Sequence, residues 1–163
     1  MEKRIVNEKF INELREFLYR AQKYGYGGNV KPHDGVDGTH TLSYTDRRSG
    51  LSLSDTWYGG EPFRGITVIR CKGIVCWVMT YGGEVSPGVD KEAVYACLRP
   101  ALVARNHVSP WRGPEVYIAE NGMRYVNEWH GDINKFSGKE NIYEKGGTRL
   151  YECKYEGGFV DRR

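Results

Sequence analysis

Asp55 is a carboxylate where a hydrophobe is expected. It lies in the alternating stretch Leu51–Tyr58, and a two-residue period puts it on one face with Leu51, Leu53 and Trp57. A charge on such a face must be paired, hydrogen-bonded or solvated in a cleft. Asn127, two residues before Trp129, repeats the arrangement of Asp55 two residues before Trp57. Both polar side chains either hold nearby turns by hydrogen bonds or face a ligand, and Asp55 could also move a proton there. Arg112 stands between Trp111 and Gly113-Pro114. A guanidinium held in that way can clamp a carboxylate or phosphate through two parallel bonds, or it can pair with a neighbouring acid such as Glu115. Trp57, Trp77, Tyr81 and Trp129 supply flat faces for stacking, so the candidate ligand-binding set is Asp55, Trp57, Trp77, Tyr81, Arg112, Asn127 and Trp129.

Other groupings are weaker. Glu128, His130 and Asp132 alternate near a strand end, and His33 and His40 bracket a Gly-rich loop. Neither set has the spacing of a metal site, and His107 lies alone in a polar loop, so no metal and no cofactor is expected. The four cysteines, Cys71, Cys76, Cys97 and Cys153, form no C-x-x-C and read as small apolar fillers. Phosphate-binding glycine loops and the Gly-x-Ser-x-Gly elbow are missing from the sequence.

Residues 5–24 carry one apolar stripe at helical spacing, Val6, Phe10, Leu14, Phe17, Leu18 and Ala21, which Gly25 and Gly27-Gly28 are expected to stop. Strands are predicted over 39–45, 51–58, 66–71 and 74–81. Asp90 caps a second helix over 91–105, with Pro100 expected to kink or break it. Strands at 115–119, 123–130, 139–144 and 149–156 follow, with Asn121-Gly122 marking a tight hairpin. The fold class is α+β: a mainly antiparallel sheet of eight strands with two helices packed on it, and no strand–helix–strand alternation.

The two halves repeat one another. Phe63-Arg64-Gly65 and Phe136-Ser137-Gly138 are 136 − 63 = 73 residues apart, and Ile69 and Ile142, then Gly73 and Gly146, keep that offset. The chain is therefore expected to be a single domain over 1–163, with a helix-plus-four-strand unit duplicated over about 5–85 and 86–160. Half-size units bury too little surface to stand alone, so the halves should share one core and set a cleft between them.

Several strings read together resemble the prokaryotic family catalogued as domain of unknown function 5680: Phe17-Leu18 with Tyr26-Gly27-Gly28, Asp55-Thr56-Trp57-Tyr58-Gly59-Gly60, Trp77-x-Met79-x-Tyr81-Gly82, Arg112-Gly113-Pro114, and Tyr151-Glu152 with Tyr155-x-Gly157-Gly158. The similarity runs from about Ile11 to Val160. It implies a fold, and the family's habit of occurring alone or behind a helix-turn-helix module, but no reaction. Members often carry Gly-Glu-Glu where this chain reads Gly65-Ile66-Thr67, which removes an acidic pair from any catalytic scheme. About ten residues precede the first helix of the domain, so no DNA-binding module is expected there.

Composition sets the remaining bounds. A formal net charge of +3, with 28% charged residues of mixed sign, gives no basic face for direct nucleic-acid binding. No apolar run reaches the roughly 20 residues of a membrane span, and no secretory signal is present, so a cytoplasmic location is expected. Twelve Tyr and 21 Gly accompany the aromatic strands. The leading expectation is a small-molecule binding or sensing domain with an aromatic-lined cleft. The alternatives are an enzyme of hydrolase or isomerase type using Asp or His in that cleft, and an interaction module that forms a homodimer through strand edges.

Overall fold

The computed structural model describes residues 6–28, 30–105 and 111–161. His107 and the start of its loop lie outside the described residues. Helix α1 spans Glu8–Gly27 and opens on Asn7, whose side chain accepts from the Phe10 N–H at 2.9 Å. Its stripe of Leu14, Phe17, Leu18 and Ala21 is buried. The helix does not stop at Gly25, where a Cβ would stand 2.9 Å from Leu42 Cδ2. Glycine there permits close approach to the sheet, and packing outweighs its poor helix propensity. Helix α2 spans Lys91–Val103, capped by Asp90, and runs through Pro100 to its end. Pro100 removes only one hydrogen bond of the last turns, and its own carbonyl accepts from the Ala104 N–H at 2.9 Å.

Among the described residues nine strands form one antiparallel sheet: β1 His33–Asp34, β2 Thr39–Asp46, β3 Leu51–Tyr58, β4 Phe63–Cys71, β5 Ile74–Val85, β6 Val116–Ile118, β7 Arg124–Asp132, β8 Lys135–Tyr143 and β9 Arg149–Phe159. Their order is β1-β2-β3-β4-β5-β9-β8-β7-β6. This makes nine strands rather than eight, because the short β1 pairs with β2. It is also a single sheet with two edges, neither a barrel nor a sandwich. Two meanders, β2–β5 and β6–β9, meet where β5 pairs with β9 from Trp77↔Phe159 to Val85↔Tyr151.

Corresponding registers recur in the two meanders. Asp55 lies opposite Thr67 and Asn127 opposite Glu140; Gly65 lies opposite Tyr81 and Gly138 opposite Tyr155. A Cβ on Gly65 or on Gly138 would come within 2.2 Å of Cζ of the facing tyrosine. Each glycine thus leaves room for a phenol ring to lie flat across the neighbouring strand.

Both helices contact the sheet and each other. The core contains Leu14, Phe17, Leu51, Ile69, Trp77, Tyr125, Ile142 and Tyr151. Each fully buried aliphatic or aromatic side chain contributes about 1.5–3 kcal/mol of hydrophobic stabilisation. Alternate residues, among them Thr80, Ser137, Lys154 and Glu156, are exposed. Among the described residues no helix is long and apolar enough to cross a membrane.

Candidate functional site

A cavity of about 490 Å³ lies between the helices and the β2–β5 meander. Leu18 and Ala21 of α1, Leu98 and Leu102 of α2, and Leu42, Leu53 and Met79 of the sheet give it mainly apolar walls. Phe63, Trp57, Tyr81 and Tyr26 add rings. Asp55 and Arg112, which both contact Tyr81, line the cavity as well.

Asp55 faces the helices because β3 alternates, and the hydroxyls opposite it are placed by strand register. Tyr81 Oη donates to Asp55 Oδ1 at 2.9 Å and Thr67 Oγ1 donates to the same oxygen at 3.0 Å. Oδ2 receives no bond from the described residues, and Asp55 has no ion-pair partner among them. Burial pushes the Asp55 carboxyl above the ordinary aspartate range; the bonds from Tyr81 and Thr67 and the Arg112 charge pull the other way without overcoming it. Burial likewise raises the Tyr81 phenol, with the Asp55 charge adding to the effect. Tyr26 is raised by burial and partly drawn back by Arg112.

Arg112 is held at φ 69°, a left-handed backbone conformation that costs a non-glycine residue about 1–2 kcal/mol. Its partner is not Glu115 but Glu140, 28 residues away: Nη2 donates to Oε2 at 2.8 Å, with both side chains buried. Nη1 donates to Tyr26 Oη at 3.3 Å, and the guanidinium lies 5.3 Å from the Tyr81 ring centroid. Burial opposes the charge of Arg112, but Glu140 and the surrounding phenols hold its pKa above the usual arginine value. Tyr125 Oη donates to the other Glu140 oxygen at 2.5 Å, so Glu140 serves both groups.

Four of the seven candidates, Asp55, Trp57, Tyr81 and Arg112, share the cavity. Trp57 stacks on His40 with centroids 5.5 Å apart. The other three do not line it. Trp77 is wholly buried, donates from Nε1 to the Ile133 carbonyl at 3.0 Å and stacks on Phe136. Asn127 donates to the carbonyls of Gly113 at 3.0 Å and Trp111 at 3.5 Å, and accepts from Tyr155 Oη at 2.6 Å. Trp129 packs half-buried against the core. The cavity is therefore not a symmetric cleft between halves. It is built on the first meander, with α2 and Arg112 reaching in from the second half.

Sequence reasoning missed Thr67, Tyr26, Tyr95 and Glu140. Thr67 and Glu140 are 140 − 67 = 73 residues apart, the offset already marked by Phe63 and Phe136, and that offset was the signal for them. Tyr95 of α2 donates to Glu61 Oε2 at 2.5 Å, while Glu61 Oε1 accepts from the Val85 N–H at 2.6 Å. This ties the loop between β3 and β4 to the cavity's roof.

His40 also lines the cavity, its Nδ1 lying 2.5 Å from Asp34 Oδ1. Asp132 is occupied in capping Asn134, and among the described residues no group of three or more His, Cys, Asp or Glu could hold a metal ion. Burial raises the thiol of Cys97 to about 11 and that of Cys153 to about 12, so neither is a thiolate at neutral pH. An open groove of about 790 Å³ runs across residues of β4, β5 and β7–β9, where Arg64, Lys139 and Lys154 are interspersed with Glu128 and Glu156.

Fold and site define an α+β protein whose helices roof an aromatic cavity on an antiparallel sheet. The family model described as domain of unknown function (DUF5680) matches residues 55–160, well over half of the chain, and the chain belongs to that family. No curated protein and no solved structure matches it significantly.

Proposed function

We propose that the protein is a binding or sensing domain that takes up a small molecule in the cavity beneath α1 and α2. The observation that carries this reading is the joint presence, in one space of about 490 Å³, of apolar walls, stacking rings and a few convergent polar groups. A solid core would have no need to hold Asp55 at a cavity wall with one carboxylate oxygen unbonded. A thermal-shift screen against metabolites tests the reading. A ligand at about 100 times its Kd stabilises by about 2.7 kcal/mol. Hits should vanish in Leu98→Trp, which fills the cavity. No hit in the wild type, or hits that survive this variant while it remains folded, refute the reading.

The recurring registers support descent of the two meanders from one duplicated unit. On that reading the second copy lost its cavity when the loop around Trp111 settled into it, while the first stayed open.

One observation favours an enzyme. Asp34 orients His40 beside the same cavity that holds Asp55, and an imidazole so held can move protons. Turnover of a bound ligand that is lost in His40→Asn with binding retained would establish this alternative. A homodimer through β6 is the other: Val116 and Ile118 are exposed on that edge strand. A strict monomer by light scattering at high concentration removes it.

A further inference from the structure

The second meander contains an occupied counterpart of the cavity. Asn127, Glu140 and Tyr155 hold the register positions of Asp55, Thr67 and Tyr81. Phe136 lies opposite Gly157 as Phe63 lies opposite Gly83. Against these residues sits the chain's own segment Trp111-Arg112-Gly113. The Trp111 ring stacks on Phe136 with centroids 3.4 Å apart, Arg112 pairs with Glu140 at 2.8 Å, and Asn127 binds the backbone carbonyls of Trp111 and Gly113. An aromatic ring with a cation beside it is what this sheet surface holds when it is filled.

Charge in the first meander points the same way. Among the described residues Arg112 is the buried cation that faces Asp55, and its ion pair is with Glu140. That guanidinium is thus committed to Glu140, and Asp55 feels its charge without pairing with it. Arg99 lies over the Tyr95 ring 5.5 Å away, and His40 is held by Asp34. Asp55 lines a space walled by Trp57, Phe63, Tyr26 and Tyr81, the surroundings in which an ammonium is attracted both to the carboxylate and to the ring faces.

We infer that the cavity's ligand is an organic cation on an aromatic body, its ammonium placed at Asp55 and its ring stacked on Phe63 or Trp57. The inference rests on the reading that the cavity binds a small molecule, and names the class. Binding requires Asp55 ionised, and burial raises its carboxyl, so affinity for the amine should fall as the pH is lowered through the Asp55 titration. The charged and titratable groups facing Asp55 and its cavity are His40 on β2, Tyr81 on β5, Tyr26 on α1, Tyr95 and Arg99 on α2, and Arg112 with Glu140 behind it. Asp55→Asn separates the contribution of Asp55 from theirs.

The test is titration calorimetry with three probes of one frame: tryptamine, tryptophol and indoleacetate. Tryptamine should bind at least about tenfold more tightly than tryptophol at neutral pH, a difference of about 1.4 kcal/mol. Its affinity should fall on acidification as Asp55 takes up a proton, while that of tryptophol, which needs no charge at Asp55, should not. In Asp55→Asn its affinity should fall to that of the alcohol. Should the fold not tolerate Asp55→Asn, the preference of the wild type for the amine over the alcohol, and its loss on acidification, still decides. Tryptophol or indoleacetate binding as tightly as the amine overturns the inference and leaves the cavity reading standing. Failure of all three to bind at millimolar concentration overturns the inference, and the cavity reading falls with it only where the metabolite screen also gives no hit.

Discussion

Arg112 and Glu140 form an ion pair that water does not reach, at 3% and 0% exposure. Removing one partner should therefore be far worse than removing both. Glu140→Leu leaves the guanidinium with Tyr26 Oη at 3.3 Å and no acceptor for Nη2 or Nε. Breaking a buried pair in this way costs about 3–5 kcal/mol, whereas replacing both charges with apolar groups of similar volume is often neutral or better. Arg112→Met should cost a similar amount by stranding Glu140 with Tyr125 alone. The double variant Arg112→Met/Glu140→Leu should recover most of the loss, giving a coupling energy of at least about 3 kcal/mol. For a chain of this size each kcal/mol moves Tm by about 2–4 °C, so either single change should lower Tm by about 6–20 °C. Urea unfolding followed by fluorescence of the buried Trp77 and Trp111 measures all four proteins on one signal. Single costs below about 1 kcal/mol, or a double variant that simply sums the singles, would falsify the claim that the pair is a desolvated unit.

Three further outcomes follow from the same geometry. Gly65→Ala and Gly138→Ala each drive a Cβ into a tyrosine ring and should each cost about 1–3 kcal/mol in thermal unfolding; a neutral change would show that the ring has room to move. The raised Asp55 carboxyl means that the native state holds its proton to higher pH than the unfolded chain does. Its stabilising contribution is thus fully present below the unfolded pKa and declines as pH rises through the folded value. Asp55→Asn should flatten that decline in a stability-against-pH profile, and an unchanged profile would place the titration elsewhere. Tyr95→Phe removes the bond to Glu61 at 2.5 Å and should cost about 1–3 kcal/mol, with faster amide exchange in residues 59–61; unaltered exchange there would mean the loop is held by other contacts.

The helices and most strands were legible because their apolar periods are long. Their ends were not, since ends are set by contact and not by propensity. Glycine at 25 reads as a stop, yet the helix passes through it because the missing Cβ lets α1 lie on Leu42. Strand β5 runs past Gly82-Gly83, where the bare backbone receives the Arg64 and Phe63 side chains. Asp55, Trp57 and Tyr81 could be placed on the cavity side by alternation alone. Trp77 obeys the same alternation and lies in the core, because a two-residue period assigns a face and not a depth. The pairing of Arg112 with Glu140 spans 28 residues and depends on β8 docking beneath a loop, and no local pattern announces that.

The seam between β5 and β9 also has a consequence for how the chain folds. Its paired residues are separated by 151 − 85 = 66 to 159 − 77 = 82 positions, the most distant of the pairings between neighbouring strands. Closing a loop of that length costs about 4 kcal/mol before any contact repays it. During synthesis the first meander is complete long before β9 emerges, so β5 waits as a long open edge. Any second copy of the chain can offer it a β9 in the same register. The seam that joins the two halves of one molecule is therefore the place where two molecules can exchange halves, and refolding at high concentration will be contested there.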